Sequence, residues 1–522
     1  MIAPKVRNIL TIGLTTISLG CLAIGCGEDS DDEETASTTT TTTGEETEDE
    51  DNFDGSGYKT TKVSDAQAKI DGASQTLKTA IAAAPTTFAF TNSSTTNSSV
   101  SYKGQTFRQV LNDDLKAYIG DLTMGGSSAT KNQVTEALNS YYNYSSDNSS
   151  TAPGVIKGTS AHGVTAKDKD GNAASLEQGT TYDDIQSSGK KLQNKIAGND
   201  PDLRNSKLLG WAGVESPDAL VATWFDAVAA NATGGSAFDA KNGDLGVQNV
   251  TAAYVTAEGL NYRQLIQKFI HGAVSFSQAA GDYLSTDLGE GNGLNAGNDA
   301  VEEGKDYTAL EHHWDEGFGY FGAARDYNSY TDAQIKAGAS LDTDSSGKMD
   351  ILSEKNFGLS VNAAKRDVGA KDGKTDLSKK IMDGFLQGRH LISTKPEGYK
   401  EMLPNIAIVL VDSWEKTIAA TVVHYINDVL KDMEAYGTAD YKFTDHAKHW
   451  GELKGFALAF QFNPNSPMTI DGFKKFHELV GDKPVLGSAA AEDVTAYKSS
   501  LKKARKLLQD VYEFSADNAK NW

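Results

Sequence analysis

The chain has 522 residues, a formal net charge of −22 and two cysteines, Cys21 and Cys26. With no cysteine beyond residue 26, neither a disulfide framework nor a thiolate metal site is available to the rest of the chain. The acidity argues against nucleic acid as a partner, because phosphate binding needs a basic surface.

The N-terminus reads as a targeting segment. Lys5 and Arg7 precede a mostly apolar stretch, residues 9–24, that is too short and too rich in Gly, Ser and Thr for a membrane span. It ends Leu22-Ala23-Ile24-Gly25-Cys26, a sequence that resembles a bacterial lipobox. Residues 1–25 are therefore expected to be a lipoprotein signal peptide, and Cys26 the lipidated residue. The plain alternative is an ordinary secretory signal. An anchor of this kind would tie the protein to a membrane through acyl chains alone, in the periplasm or on the surface, with the outer membrane as the expected location. Residues 26–56 alternate acidic runs with a threonine tract and hold no basic residue. Such a segment buries too little to offset its ordering entropy, so a disordered tether is expected.

Residues 57–522 show apolar residues recurring at three- and four-residue spacing. Helices are expected over 107–124, 131–144, 217–230, 262–284, 307–327, 376–392, 397–433, 443–462, 470–480 and 491–516. Ser216-Pro217 and Thr469-Ile470 look like helix starts. Stretches 86–106 and 145–200, rich in Ser, Thr, Asn and Gly, read as loops with room for a short hairpin. The expected fold is all-α, with long decorated loops.

The tetrapeptide His-Trp-x-Glu occurs twice, at His313-Trp314-Asp315-Glu316 and at His449-Trp450-Gly451-Glu452. A glycine, an aromatic and an alanine follow in the same register. This suggests a duplicated helical unit, with pseudo-repeats over about 200–360 and 376–522 and paired bundles. Long helices holding His271 and His424 precede the two motifs, so each repeat reads as a hairpin with a histidine on its first arm. His and Glu three apart share a helix face, and imidazole with carboxylate suits zinc, iron or manganese. His313, Glu316, His449 and Glu452 form a candidate four-ligand set, with His312, Asp315, His271 and His424 as further candidates. His312 lies about 100° round the helix from His313 but four residues from Glu316. The structural alternative is a pair of packing hydrogen bonds. Gly317, Gly319, Gly322 and Gly455 admit either close helix packing or room for a ligand.

Asp342-Thr343-Asp344-Ser345-Ser346-Gly347-Lys348-Met349-Asp350 follows the EF-hand calcium loop, with oxygen side chains at positions one, three, five and nine and glycine at six. The expected ligands are Asp342, Asp344, Ser346, the Lys348 carbonyl, Asp350 and Glu354. Glu354 stands one place later than the usual bidentate glutamate. The chain lacks the His-Glu-x-x-His, P-loop, dinucleotide-glycine and Gly-x-Ser-x-Gly signatures.

The first His-Trp segment, the run Asp350 to Gly358 and the block Trp450 to Pro464 together resemble a bacterial lipoprotein family, the domain-of-unknown-function family numbered 4856. Pro85-Thr86-Thr87-Phe88 and Val100 to Gln105 are similar to that family's opening. The family is grouped with imelysin-like proteins. The resemblance implies two related helical bundles, a Gly-x-His-x-x-Glu motif falling on His313 and Glu316, and a link to iron uptake; Glu311 stands where the motif has glycine. It also implies metallopeptidase activity as an alternative. The reading of the whole chain is a lipid-anchored helical protein that binds a transition metal, iron or zinc, or an iron-bearing small ligand, for uptake or sensing. Calcium braces it, an envelope protein is a possible partner, and catalysis is the less favoured option. A non-metal interaction scaffold is the third alternative.

Overall fold

The computed structural model describes residues 53–522, except 93, 95, 188–190, 201, 202, 204, 243, 244, 373 and 374. The signal-like segment, Cys26 and nearly all of the acidic tether lie outside the described residues.

Sixteen α-helices dominate the described chain. The first six are α1 (Lys62–Asp71), α2 (Gln75–Ala82), α3 (Lys103–Gly120), α4 (Lys131–Tyr142), α5 (Tyr182–Ile185) and α6 (Pro217–Gly234). The next five are α7 (Tyr262–Ile270), α8 (Ala309–Phe321), α9 (Asp332–Lys336), α10 (Gly358–Gly369) and α11 (Leu377–Thr394). The chain closes with α12 (Tyr399–Glu434), α13 (Phe443–Ala457), α14 (Ile470–Val480), α15 (Ala491–Tyr512) and α16 (Ala516–Asn521). Two small antiparallel ribbons decorate them, β1–β2 (Ala166–Lys167 with Ala173–Ala174) and β3–β4 (Phe238–Asn242 with Leu245–Val250). The all-α class is that expected from the spacing of apolar residues.

Local chemistry sets the helix starts. Ser216 accepts from the Ala219 amide with Pro217 in the first turn, and Thr469 accepts from the Gly472 amide. α8 opens with a capping box, Thr308 and Glu311 each accepting the other's backbone N–H. α13 ends in a 3-10 turn, Leu458–Gln461, before Pro464. α1, α2, α5, α9, α10 and α16 were not expected. α1 has almost no buried face, only Ala66 being fully covered, so its periodic signal is weak.

α12, 36 residues long, runs through the core and packs against α1, α10, α11, α13 and α15. Trp414, at its middle, meets the rings of Phe276, Phe321 and Phe385. The helix begun by α7 continues to Tyr283 through two π-helical stretches, His271–Phe276 and Ala279–Tyr283. Its α part packs on α13 and its π part on α8. One continuous rod therefore touches both His-Trp helices. Among the described residues, no helix is long and apolar enough to cross a membrane.

Candidate functional site

The two His-Trp helices are built alike. Trp314 and Trp450 are fully buried, and their indole N–H groups donate to the Phe385 carbonyl and the Tyr497 hydroxyl, each at 2.9 Å. On the preceding helix, Tyr283 lies 5.9 Å from the His313 ring and 6.0 Å from the Tyr320 ring. Tyr425 lies 6.5 Å from His449 and 6.3 Å from Phe456. Tyr320 and Phe456 each stand seven residues after their histidine. The repeated sequence thus corresponds to a repeated ring arrangement on two helix pairs.

The glycines serve close packing. A Cβ on Gly319 would stand 2.6 Å from Tyr102 Cβ, one on Gly455 2.8 Å from Lys268 Cβ, and one on Gly317 3.1 Å from Leu284. Gly322 caps α8 at φ +80°.

The polar partners differ from the expected pairs. In the first motif, His313 Nδ1 donates to the Gly293 carbonyl and His312 Nδ1 to the Ser101 carbonyl, both at 3.0 Å. A carbonyl only accepts, so each neutral ring keeps its lone pair on Nε2. His312 Nε2 stands 3.9 Å from Glu316 Oε2, while Gln105 donates to Glu316 Oε1 at 2.6 Å. The histidine facing Glu316 is therefore His312, one turn away, and not His313. Asp315 is no part of this group. It receives Arg389 Nε at 2.8 Å and the Ser101 amide at 3.1 Å in a fully buried network that also ties Arg389 to Glu311. Burial lifts its carboxyl to about 7, against the pull of Arg389. Asp282, on the adjoining π stretch, is raised to about 6 by burial, against the opposing charge of Lys195.

In the second motif, His449 turns to Asp432, with 2.7 Å between Nδ1 and Oδ2. Burial alone would lower its pKa, but the Asp432 hydrogen bond and charge, with the charges of Asp428 and Glu452, raise it to about 9. Glu452 is fully buried, and its Oε1 stands 3.3 Å from Lys268 Nζ. His424 Nε2 stands 3.3 Å from Asp428 Oδ2. His271 is core, near Asn112 and stacked 6.5 Å from Phe456, and burial holds its pKa down at about 3. It is therefore a packing residue at the turn into the π stretch.

His313, Glu316, His449 and Glu452 do not form one cluster. Among the described residues, the single group of three His, Cys, Asp or Glu side chains with ligand atoms all within 4.8 Å is Asp342, Asp344 and Glu354. α8 and α13 instead contact successive stretches of the helix that runs from Tyr262 to Tyr283.

The loop 342–354 folds as a turn. Asp342 accepts from the Ser346 and Gly347 amides, and Gly347 takes φ +77°. A helical turn after Asp350 returns the buried Glu354 to the loop, where it accepts from the Thr343 and Asp350 amides. The late position of this glutamate is thereby absorbed. Asp350 stands outside the three-carboxylate group and accepts from Gln178 at 2.6 Å, while the Ser346 amide donates to both Asp342 and Asp344.

Sequence reasoning missed Asp282, Asp428, Asp432 and Gln105. The four-residue spacing His424, Asp428, Asp432 was a usable signal, because it marks one helix face. Gln105 carried none, its partner being 211 residues away.

Residues 85–470 match the family model described as Domain of unknown function (DUF4856), and the chain belongs to that family. No curated protein and no solved structure matches it.

Proposed function

We propose that this family member is a cell-envelope lipoprotein that binds a transition metal ion, or an iron-bearing small ligand, at the first His-Trp helix. The carrying observation is the pinning of His312, His313 and Glu316. Backbone carbonyls hold both Nδ1 atoms and Gln105 holds Glu316 Oε1, leaving His312 Nε2 and Glu316 Oε2 3.9 Å apart. Ligands on one zinc or iron ion at about 2.0–2.2 Å stand somewhat closer than that, so a small side-chain shift would let an ion bridge them. Outer partners that fix the ring tautomer are a usual feature of metal-binding histidines. Iron as the cargo rests on the imelysin resemblance, and the membrane anchor on the lipobox-like run ending at Cys26. Calcium at Asp342, Asp344 and Glu354 is the bracing role.

The test is metal analysis and calorimetric titration of chelator-stripped protein. His312→Gln and Glu316→Gln are expected to lower iron(II) or zinc affinity at least tenfold while circular dichroism stays unchanged. Isotherms equal to wild type for both variants would remove the site.

A further inference from the structure

The second His-Trp helix faces a set of side chains that the first lacks. α12 carries His424, Asp428 and Asp432 in one stripe at four-residue spacing, and α13 carries His449 and Glu452. His424 pairs with Asp428 and His449 with Asp432, while Tyr425 stacks on His449. Each arm of this helical hairpin therefore supplies an imidazole and a carboxylate.

Glu452 supplies an independent sign. It is fully buried, and neither of its oxygens accepts a hydrogen bond; the Lys268 ammonium stands 3.3 Å from its Oε1. Glu415, equally buried on α12, shows the usual solution, with Asn463, Ser466 and Tyr512 all donating to it. The charge of Glu452 is balanced by a cation, the Lys268 ammonium, and not by hydrogen-bond donors, so a metal ion here would share the carboxylate with Lys268.

We propose that His424, Asp428, His449 and Glu452 form a second, separate site for a divalent transition metal ion. Asp432 holds His449 through Nδ1, and Nε2 becomes the coordinating atom when an incoming metal ion displaces its proton. Two imidazoles with two carboxylates suit zinc, manganese or iron(II), and a carboxylate behind a ligand histidine both orients it and raises its basicity. No three of these residues have ligand atoms within 4.8 Å of one another. Filling the site therefore requires side-chain rotations that bring the ligand atoms together. The choice of metal rests on the reading of the chain as a metal-handling protein; the site itself does not depend on occupancy at His312 and Glu316.

The experiment titrates the full chain, stripped of metal and held in calcium, with cobalt(II) by visible absorbance and with zinc by calorimetry. Asp428→Asn and His449→Gln are expected to weaken one binding component at least tenfold, and Asp432→Asn tenfold to a hundredfold. Glu316→Gln is expected to leave that component intact. Asp428 is partly exposed, so its variant is expected to keep the wild-type circular dichroism spectrum, which separates lost binding from lost folding. Wild-type isotherms for both Asp428→Asn and His449→Gln would overturn the second site, whatever Glu316→Gln does. Weakening of one component by Asp428→Asn, with no component at all weakened by Glu316→Gln, would keep the second site and remove the first. An absence of metal binding by the wild type would overturn both.

Discussion

At the scale of single residues, burial decides what a charged group does. Arg389, fully buried, meets Asp315, Glu311, Ser99 and Ser393 and so has a partner at each nitrogen. That is why Asp315, two and three residues after the two histidines, is structural. Lys454 is also fully buried, donating to the Gly481 carbonyl at 2.6 Å with the Asp482 carboxylate at 3.5 Å. Burial lowers its pKa from 10.5 to about 8. The unfolded chain therefore holds this proton up to higher pH than the folded one, so stability is expected to rise as pH climbs from about 8 towards 10.5. Urea unfolding across that range should show the rise in wild type, and Lys454→Met should lose this contribution.

At the scale of elements, glycine sets how closely the motif helices approach their neighbours. An alanine in a helix is favoured over glycine by roughly 1 kcal/mol, but overpacking costs about 1–3 kcal/mol. The Cβ of Gly319→Ala would meet backbone-anchored carbons of Tyr102 and Gln105 that cannot swing aside. Gly319→Ala and Gly455→Ala are thus expected to lower the denaturation midpoint. Gly234→Ala, where nothing lies within 4 Å of the new Cβ, should leave it unchanged or raise it. The π stretches belong to this scale too. They occur where one helix passes from α13 to α8, and π segments concentrate at functional sites.

At the scale of the whole molecule, the loop 342–354 connects distant segments. It joins α9 to α10, and Met349 bridges to Leu176 in the long decorated stretch before α6. A cation held by Asp342, Asp344 and Glu354 would tie these parts together. Calcium at tenfold over its dissociation constant should then add about 1.4 kcal/mol by mass action. The expected outcome is a higher Tm in calcium than in chelator for wild type, and equal Tm values for Asp342→Ala. Equal wild-type Tm values in both conditions would count against the bracing role.

The sequence by itself determined the helical class, all ten expected helices, the caps at Ser216 and Thr469, the family and the doubled His-Trp motif. These follow from spacing along one chain, and helix periodicity and capping are local. It pointed to His313 where the structure puts His312 beside Glu316, and it could not pair His449 with Asp432, Glu316 with Gln105 or Asp315 with Arg389. Periodicity fixes the face a residue occupies on its own helix. The partner it meets depends on how another helix crosses that face, and only the tertiary packing of α3, α7, α8, α11, α12 and α13 decides it.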